Sequence, residues 1–212
     1  MTQITPLPEA LRTRYATWAG KDRNGHGDLH QRLADKGQTP RAMIISCCDS
    51  RVNPTEVFGS DPGEYFIHRN IANFVPASGS GDIASGTGAA VQFAVTALKV
   101  SEIVVMAHSA CGGVAGCQAM CAGNAPELED PSNLLGQWVA QLRPAYDGLE
   151  DKGDTTAMER GAALLSLENL MTFDFVASAV KAGTLTLHAA WIDIASGELM
   201  EYDAEAGDFK PV

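Results

Sequence analysis

The chain has 212 residues, of which 45% are hydrophobic and 19% are charged, and its formal net charge is −11 at pH 7. That length can bury a core without disulfide or metal staples, and so negative a surface argues against nucleic acid as a partner. No apolar run is long enough to cross a bilayer, and residues 1–15 lack the apolar segment of a signal peptide, so we expect a cytoplasmic protein with no membrane partner.

The residue pattern in the first part of the chain predicts short helices followed by two strands. Residues 7–35 have helical character that is interrupted near Gly25, which predicts an arm of short helices. Residues 41–47 form a short apolar run typical of a buried strand, and residues 64–68 predict a second strand.

The second part alternates helices with strands. After a loop at residues 74–85, apolar side chains at helical spacing predict a helix over 87–99, and residues 102–108 predict a third strand. The remaining predicted elements are a helix after Gly113, a polar loop over 122–134, helices over 135–147 and 157–181 with Gly183 as the C-terminal cap, and strands over 184–193 and 198–202.

This alternation of short apolar strands and helices is typical of βαβ units. We therefore predict an α/β fold with a mainly parallel central sheet flanked by helices, an N-terminal helical arm and a C-terminal antiparallel edge strand. No linker divides the chain, so the prediction is a single domain over 1–212, with the arm at 1–35 and the α/β core at 36–212.

The five cysteines do not form a predicted disulfide framework, because their number is odd and no export signal precedes them. Cys117 and Cys121 are expected to be reduced and to pack as small hydrophobic side chains. A role in metal binding must be considered separately for the other three cysteines, which are Cys47, Cys48 and Cys111.

Two predicted strands end in possible metal ligands. Residues 41–47 end at Cys47, and residues 102–108 end at His108, with Cys111 three residues further on. If the two strands are neighbours in a parallel sheet, these side chains meet at its carboxyl edge. Two thiolates and one imidazole suit Zn²⁺ and leave its fourth position open, as in catalytic zinc sites. Cys48 is expected to point away from Cys47, because adjacent side chains of an extended strand face opposite sides.

Asp49 and Arg51 follow Cys47 at intervals of two residues, so they can share its side of the chain. One interpretation is an ordinary loop ion pair, which is worth little on a surface. Beside an open zinc position, however, Asp49 could accept a hydrogen bond from bound water. Arg51 could then keep Asp49 from becoming a fourth ligand through charge-assisted hydrogen bonds.

Three segments together resemble the β-class carbonic anhydrases: C-C-D-S-R at residues 47–51, H-R-N-I-A-N at 68–73 and H-S-A-C-G-G at 108–113. The resemblance covers nearly the whole chain. It implies an enzyme that interconverts carbon dioxide and bicarbonate, with Zn²⁺ on Cys47, His108 and Cys111. It also implies that Asp49 and Arg51 are the catalytic pair, and that the arm wraps a partner subunit in a homodimer or higher homo-oligomer.

The resemblance further implies a substrate pocket. Gln38 would bind the substrate by a hydrogen bond, the backbone amide of Gly112 would face the pocket, and its apolar wall would consist of Phe66, Ile71 and Phe93. Phe93 departs from the pattern, since many members have tyrosine there and this chain lacks that hydroxyl.

Two other functions stay open on the sequence alone. The same scaffold could hydrolyse carbonyl sulfide or carbon disulfide, which are also linear and apolar. The chain could instead be a zinc-binding interaction protein without turnover, although the presence of Asp49, Arg51 and Gln38 argues against this.

Overall fold

The structure is a computed structural model that describes residues 5–20, 22–80 and 85–212. The chain forms two compact units, residues 1–38 and residues 39–212. Part of the predicted loop at 74–85, residues 81–84, lies outside the described residues, as does Lys21 in the predicted arm.

The described residues of the first unit form three helices, as the interrupted helical pattern predicts: α1 (Glu9–Gly20), α2 (Asp22–Gly25) and α3 (Gly27–Lys36). No described residue of α1 is buried. Its exposed apolar side chains, Leu11, Tyr15 and Trp18, recur at helical spacing and so lie on one side of the helix. A helix with an apolar stripe of this kind normally packs it against another surface.

The second unit is built on one six-stranded sheet with the strand order β2-β1-β3-β4-β5-β6. Its strands are β1 (Ala42–Cys47), β2 (Tyr65–Asn70), β3 (Glu102–His108), β4 (Thr186–Ile192), β5 (Leu199–Asp203) and β6 (Asp208–Pro211). The first four strands are parallel and the last two are antiparallel, which confirms the predicted fold class. Strand β6, which forms the antiparallel edge, was not among the predicted elements.

Seven helices of the second unit are described: α4 (Pro54–Val57), α5 (Ser85–Gln92), α6 (Gly112–Cys121), α7 (Leu134–Val139), α8 (Arg143–Asp147), α9 (Thr155–Leu170) and α10 (Asp174–Lys181). Helix α5 continues as a π-helical turn, Phe93–Leu98. Helices α5, α9 and α10 bury their apolar sides against the sheet. The other side of α9 packs with α6 and α7 around Cys47 and Cys111, so α9 belongs to both parts of the core.

The helix predicted over 157–181 is wrong, because the structure has two helices there, α9 and α10, bent by 89° at their junction. The Thr172 hydroxyl donates to the Asn169 carbonyl at 2.6 Å and accepts from the Ser78 amide at 2.7 Å. These contacts stabilise a turn that the apolar periodicity does not reveal. Gly183 follows the second helix with a φ of 70°, which confirms its predicted capping position.

The helix predicted over 135–147 is also interrupted. Helices α7 and α8 are separated by a 3₁₀ turn, Ala140–Leu142. Pro144 explains the break, because it has no amide hydrogen to continue the α-helical ladder and is favoured only in a first turn.

Among the residues that the structure describes, no single helix is long and apolar enough to span a bilayer. The bent pair α9 and α10 passes the same test of length and composition only when both helices are taken together.

Candidate metal centre

The strands that end in the predicted ligands are neighbours at the point where the strand order changes direction. From β1 the sheet continues to β2 on one side and to β3 on the other. Ser46 pairs with Met106 in the parallel register, so Cys47 and His108 both lie at the carboxyl edge. Open α/β sheets bind ligands at such a switch point.

Cys47, His108 and Cys111 form a buried cluster whose possible ligand atoms all lie within 4.8 Å of one another. The two sulfur atoms are 3.9 Å apart, far beyond the disulfide length of about 2.05 Å. Two sulfurs at about 2.3 Å from a tetrahedral zinc ion would be about 3.8 Å apart. The spacing therefore fits two thiolate ligands of a single zinc ion.

The imidazole of His108 is oriented as a metal-binding histidine usually is. Its Nδ1 donates to the Ser109 carbonyl oxygen at 2.9 Å, because a carbonyl can only accept. The Nε2 atom is buried and has no hydrogen-bond partner among the described residues. A buried, unpaired nitrogen is costly unless something binds it, and a metal ion satisfies that requirement.

The two thiols of the cluster share their protons unequally. A hydrogen bond from Cys111 lowers the pKa of Cys47, although burial acts in the opposite direction. The same hydrogen bond, together with burial, raises the pKa of Cys111. The pair therefore already favours one thiolate, and the thiolate is the form of cysteine that binds metals.

Asp49 and Arg51 form a bidentate ion pair next to this cluster. Arg51 Nε donates to Asp49 Oδ1 at 2.9 Å, and Nη2 donates to Oδ2 at 2.6 Å. The Arg51 hydrogen bonds hold the pKa of Asp49 well below its usual range, so the carboxylate is ionised at neutral pH. Arg51 Nη2 also donates to the Ala110 carbonyl at 3.1 Å, which connects the loops that follow β1 and β3.

Solved β-carbonic anhydrases share this architecture. The structure of the β-carbonic anhydrase CcaA is 30% identical with a TM-score of 0.81, covering 95% of this chain and 99% of that one. A tetrameric β-carbonic anhydrase from Sordaria macrospora is 32% identical with a TM-score of 0.71, covering 92% of this chain and 95% of that one.

The sequence comparisons agree with the structural ones. A family model described as carbonic anhydrase matches residues 42–199. A carbonic anhydrase from Synechocystis is 31% identical over 193 residues, which is 88% of this chain and 68% of that protein. The chain belongs to the β-carbonic anhydrase family.

Sequence reasoning missed one arginine that organises the site of this carbonic anhydrase. Arg69, near the end of β2, donates to three carbonyl oxygens, those of Cys47, Asp49 and Val52, at 2.7 to 2.8 Å. One guanidinium thus fixes the whole turn that carries Cys47 and Asp49. The sequence shows Arg69 within the H-R-N-I-A-N segment, but it does not show which three backbone carbonyls accept its hydrogen bonds, because those residues are distant in the chain.

Ile71 and Gly112, two of the predicted pocket residues, lie near the carboxyl edge of the sheet. Ile71 directly follows Asn70, which pairs with Cys47, and its carbonyl accepts from Trp138 Nε1 at 2.8 Å. A Cβ at Gly113 would lie 2.6 Å from Ile71 Cγ2, so glycine is required for this close approach. Gly112 is the first residue of α6.

Phe66 and Phe93 are in contact, with ring centroids 5.7 Å apart, but they lie away from the cluster of their own chain. Phe66 pairs with Met43 in the sheet register. It is therefore four residues before the strand end, or about 13 Å along the strand. Gln38 is the last residue of the first unit, so its predicted contact with substrate stays a prediction.

The other cysteines do not join the cluster. Cys48 is exposed, in agreement with its predicted orientation, whereas Cys117 is buried and Cys121 is partly buried. The last two have sulfur atoms 3.9 Å apart on α6. Burial raises the pKa of Cys117 to about 12, which makes this thiol unreactive at neutral pH.

Proposed function

We propose that this β-carbonic anhydrase catalyses the reversible hydration of carbon dioxide to bicarbonate and a proton, with Zn²⁺ bound by Cys47, His108 and Cys111. The observation that carries the proposal is the buried cluster of two sulfurs and an unpaired imidazole nitrogen beside an ionised aspartate. A cytoplasmic location remains the expectation from the sequence.

When bound, zinc supplies Lewis-acid activation of a water molecule, bringing the pKa of that water down toward neutrality. Asp49 accepts a hydrogen bond from the reacting water and orients it. Arg51 occupies both carboxylate oxygens and so holds Asp49 away from the metal position. Cys47, His108 and Cys111 would hold the ion and would leave one coordination position for the water that it activates.

Ile71 and the Gly112 amide are proposed to contact carbon dioxide at the edge of the sheet. Phe66 and Phe93 are proposed to complete the apolar wall from a second copy of the chain, because their own chain places them far from its metal cluster. The exposure of Phe93 supports this assignment, since its side chain is 47% exposed on its own chain. Gln38 is proposed to donate to a substrate oxygen.

A homo-oligomer is therefore part of the proposed function. The relative from Sordaria macrospora is described as tetrameric, and the exposed apolar stripe of α1 gives this chain a surface to bury. We propose that α1 contacts a partner subunit through Leu11, Tyr15 and Trp18.

Charged substitutions in this stripe should weaken assembly. The double variant L11E/Y15E should shift the protein toward monomer, because carboxylates would have to be desolvated at the interface. Light scattering coupled to size exclusion measures the mass. The control is Thr13→Glu on the other side of α1. An unchanged mass for L11E/Y15E, or equal dissociation of both variants, would rule out the stripe as the contact.

Zinc content and turnover measured on the same preparation test the proposed function. We expect about one zinc ion per chain and rapid carbon dioxide hydration in a stopped-flow indicator assay. Parallel assays with carbonyl sulfide and carbon disulfide identify the preferred substrate. Zinc binding without hydration would contradict the proposal, and so would a clear preference for either sulfur compound.

A further inference from the structure

Glu159 is a buried acidic side chain that the proposed reaction does not use. It lies on α9 and is 1% exposed. Its Oε1 accepts from the backbone amide of Cys111 at 3.0 Å, and its Oε2 accepts from Trp191 Nε1 at 3.0 Å. A carboxylate is rarely buried so completely, because the loss of its hydration is unfavourable unless hydrogen-bond donors replace the water.

The three proposed ligands differ in how the backbone holds them. Cys47 and His108 are the last residues of two paired central strands, β1 and β3. Cys111 lies beyond the sheet in a turn, after Ala110, whose φ of 54° is in the left-handed region. Such a conformation is strained for a residue with a side chain and persists only where the surroundings enforce it.

Cys111 also cannot stabilise its own position in the usual way. It is the N-cap residue of α6, but its side chain makes no capping hydrogen bond, since the sulfur belongs to the metal cluster. The amide of an N-cap residue has no acceptor within the hydrogen-bond ladder of its own helix, and Glu159 supplies the acceptor for the Cys111 amide.

The second hydrogen bond of Glu159 connects this turn to the sheet. Trp191 lies on β4 and pairs in register with Ala107, the residue before His108. The Glu159 carboxylate therefore bridges two elements. One is strand β4, which pairs with the strand that carries His108, and the other is the loop that carries Cys111. The adjacent guanidinium of Arg160 stacks on the Trp191 ring at 4.8 Å, which restrains the indole further.

We infer that Glu159 is a positioning residue that sets the third metal ligand, Cys111, relative to the other two through its bond to the Cys111 amide. This inference rests on the proposed zinc site. Partners of this kind that orient a ligand contribute about 10- to 100-fold to metal affinity. The effect should therefore appear in zinc binding itself, independently of turnover.

The test measures zinc affinity by competition with a chelating indicator, together with the thermal stability of the metal-free protein. E159Q keeps the shape but replaces one acceptor with an amide group that donates. We expect zinc affinity to fall at least tenfold. The matched control is E168Q, an exposed glutamate on the same helix, and it should bind zinc as the wild type does. Wild-type affinity in E159Q would overturn the inference.

A second substitution separates positioning from general damage to the core. In E159Q the new amide group faces either the Cys111 amide or the Trp191 indole, which are both donors. Trp191→Phe removes one of them, so E159Q/W191F should recover much of the lost zinc affinity. Glu159 and Trp191 are hydrogen-bonded to each other, so the two changes should be non-additive, and a double variant that binds zinc no better than E159Q would overturn the inference.

Cobalt substitution gives a readout of ligand geometry, and E159D covers the case in which E159Q does not fold. E159D keeps both acceptors but withdraws them by one methylene, so it should also weaken zinc and alter the cobalt–thiolate absorption. Wild-type affinity and spectrum in E159D would overturn the inference. A wild-type protein that binds no zinc would instead contradict the proposed function, and the inference with it.

Discussion

Replacing Cys47 with serine should remove zinc and carbon dioxide hydration together. The hydroxyl is a poor zinc ligand at neutral pH, so His108 and Cys111 alone would remain to hold the ion. Zinc content should fall from about one ion per chain to nearly none, and turnover should fall to the uncatalysed level. Metal analysis and stopped-flow hydration on one sample check both results.

A second buried cysteine provides the control for this change. Cys117 lies on α6 in the same part of the core and is also fully buried, but its sulfur is outside the metal cluster. Cys117→Ser should keep zinc and activity, because its hydroxyl can donate to the preceding turn of the helix. An active, zinc-free C47S would refute the ligand assignment. Equal zinc loss in C117S would mean that core disruption explains both variants.

The convergence of Cys47 and His108 could be predicted because it follows from local patterns. Short apolar runs identified β1 and β3, and parallel strands that lie next to each other must end at the same edge. Cys111 then came within reach because only two residues separate it from His108. The sequence was therefore enough to predict the position of a ligand wherever that position depends only on where a strand ends.

The side chains that hydrogen-bond to the backbone around the ligands could not be predicted in the same way. Arg69 and Glu159 act on partners 17 to 48 residues away in the chain, and no periodic pattern encodes such pairs. The same holds for Trp138, which binds the Ile71 carbonyl. A weak signal existed for Glu159, since an acidic residue within the apolar pattern of a helix demands buried donors.

The apolar wall of the substrate pocket could not be placed from the sequence for a different reason. Resemblance grouped Phe66 and Phe93 with Ile71, but the register of β2 separates Phe66 from the carboxyl edge of its own chain. A motif specifies which residues belong to a pocket without specifying which copy of the chain supplies them.

Asp49→Asn should lower kcat/KM for carbon dioxide hydration about 10²-fold or more, the usual contribution of a positioned proton acceptor. The new amide group would place a donor against the guanidinium of Arg51, so the bidentate pair would break. Zinc content should stay near one ion per chain, because Asp49 is not a ligand in this proposal. Stopped-flow hydration and metal analysis of the same variant separate this effect from that of C47S.

The pH dependence supplies an independent check on Asp49. Because Arg51 lowers the pKa of Asp49, its carboxylate stays ionised at every pH above the ordinary aspartate value of about 3.9. Wild-type activity should therefore rise with pH through the titration of the activated water alone.

Asp130→Asn is the matched control for Asp49→Asn, since Asp130 also accepts hydrogen bonds from a residue two positions on but lies outside the site. If D49N retained full activity, or if D130N lost as much, the water-orienting role of Asp49 would have to be abandoned.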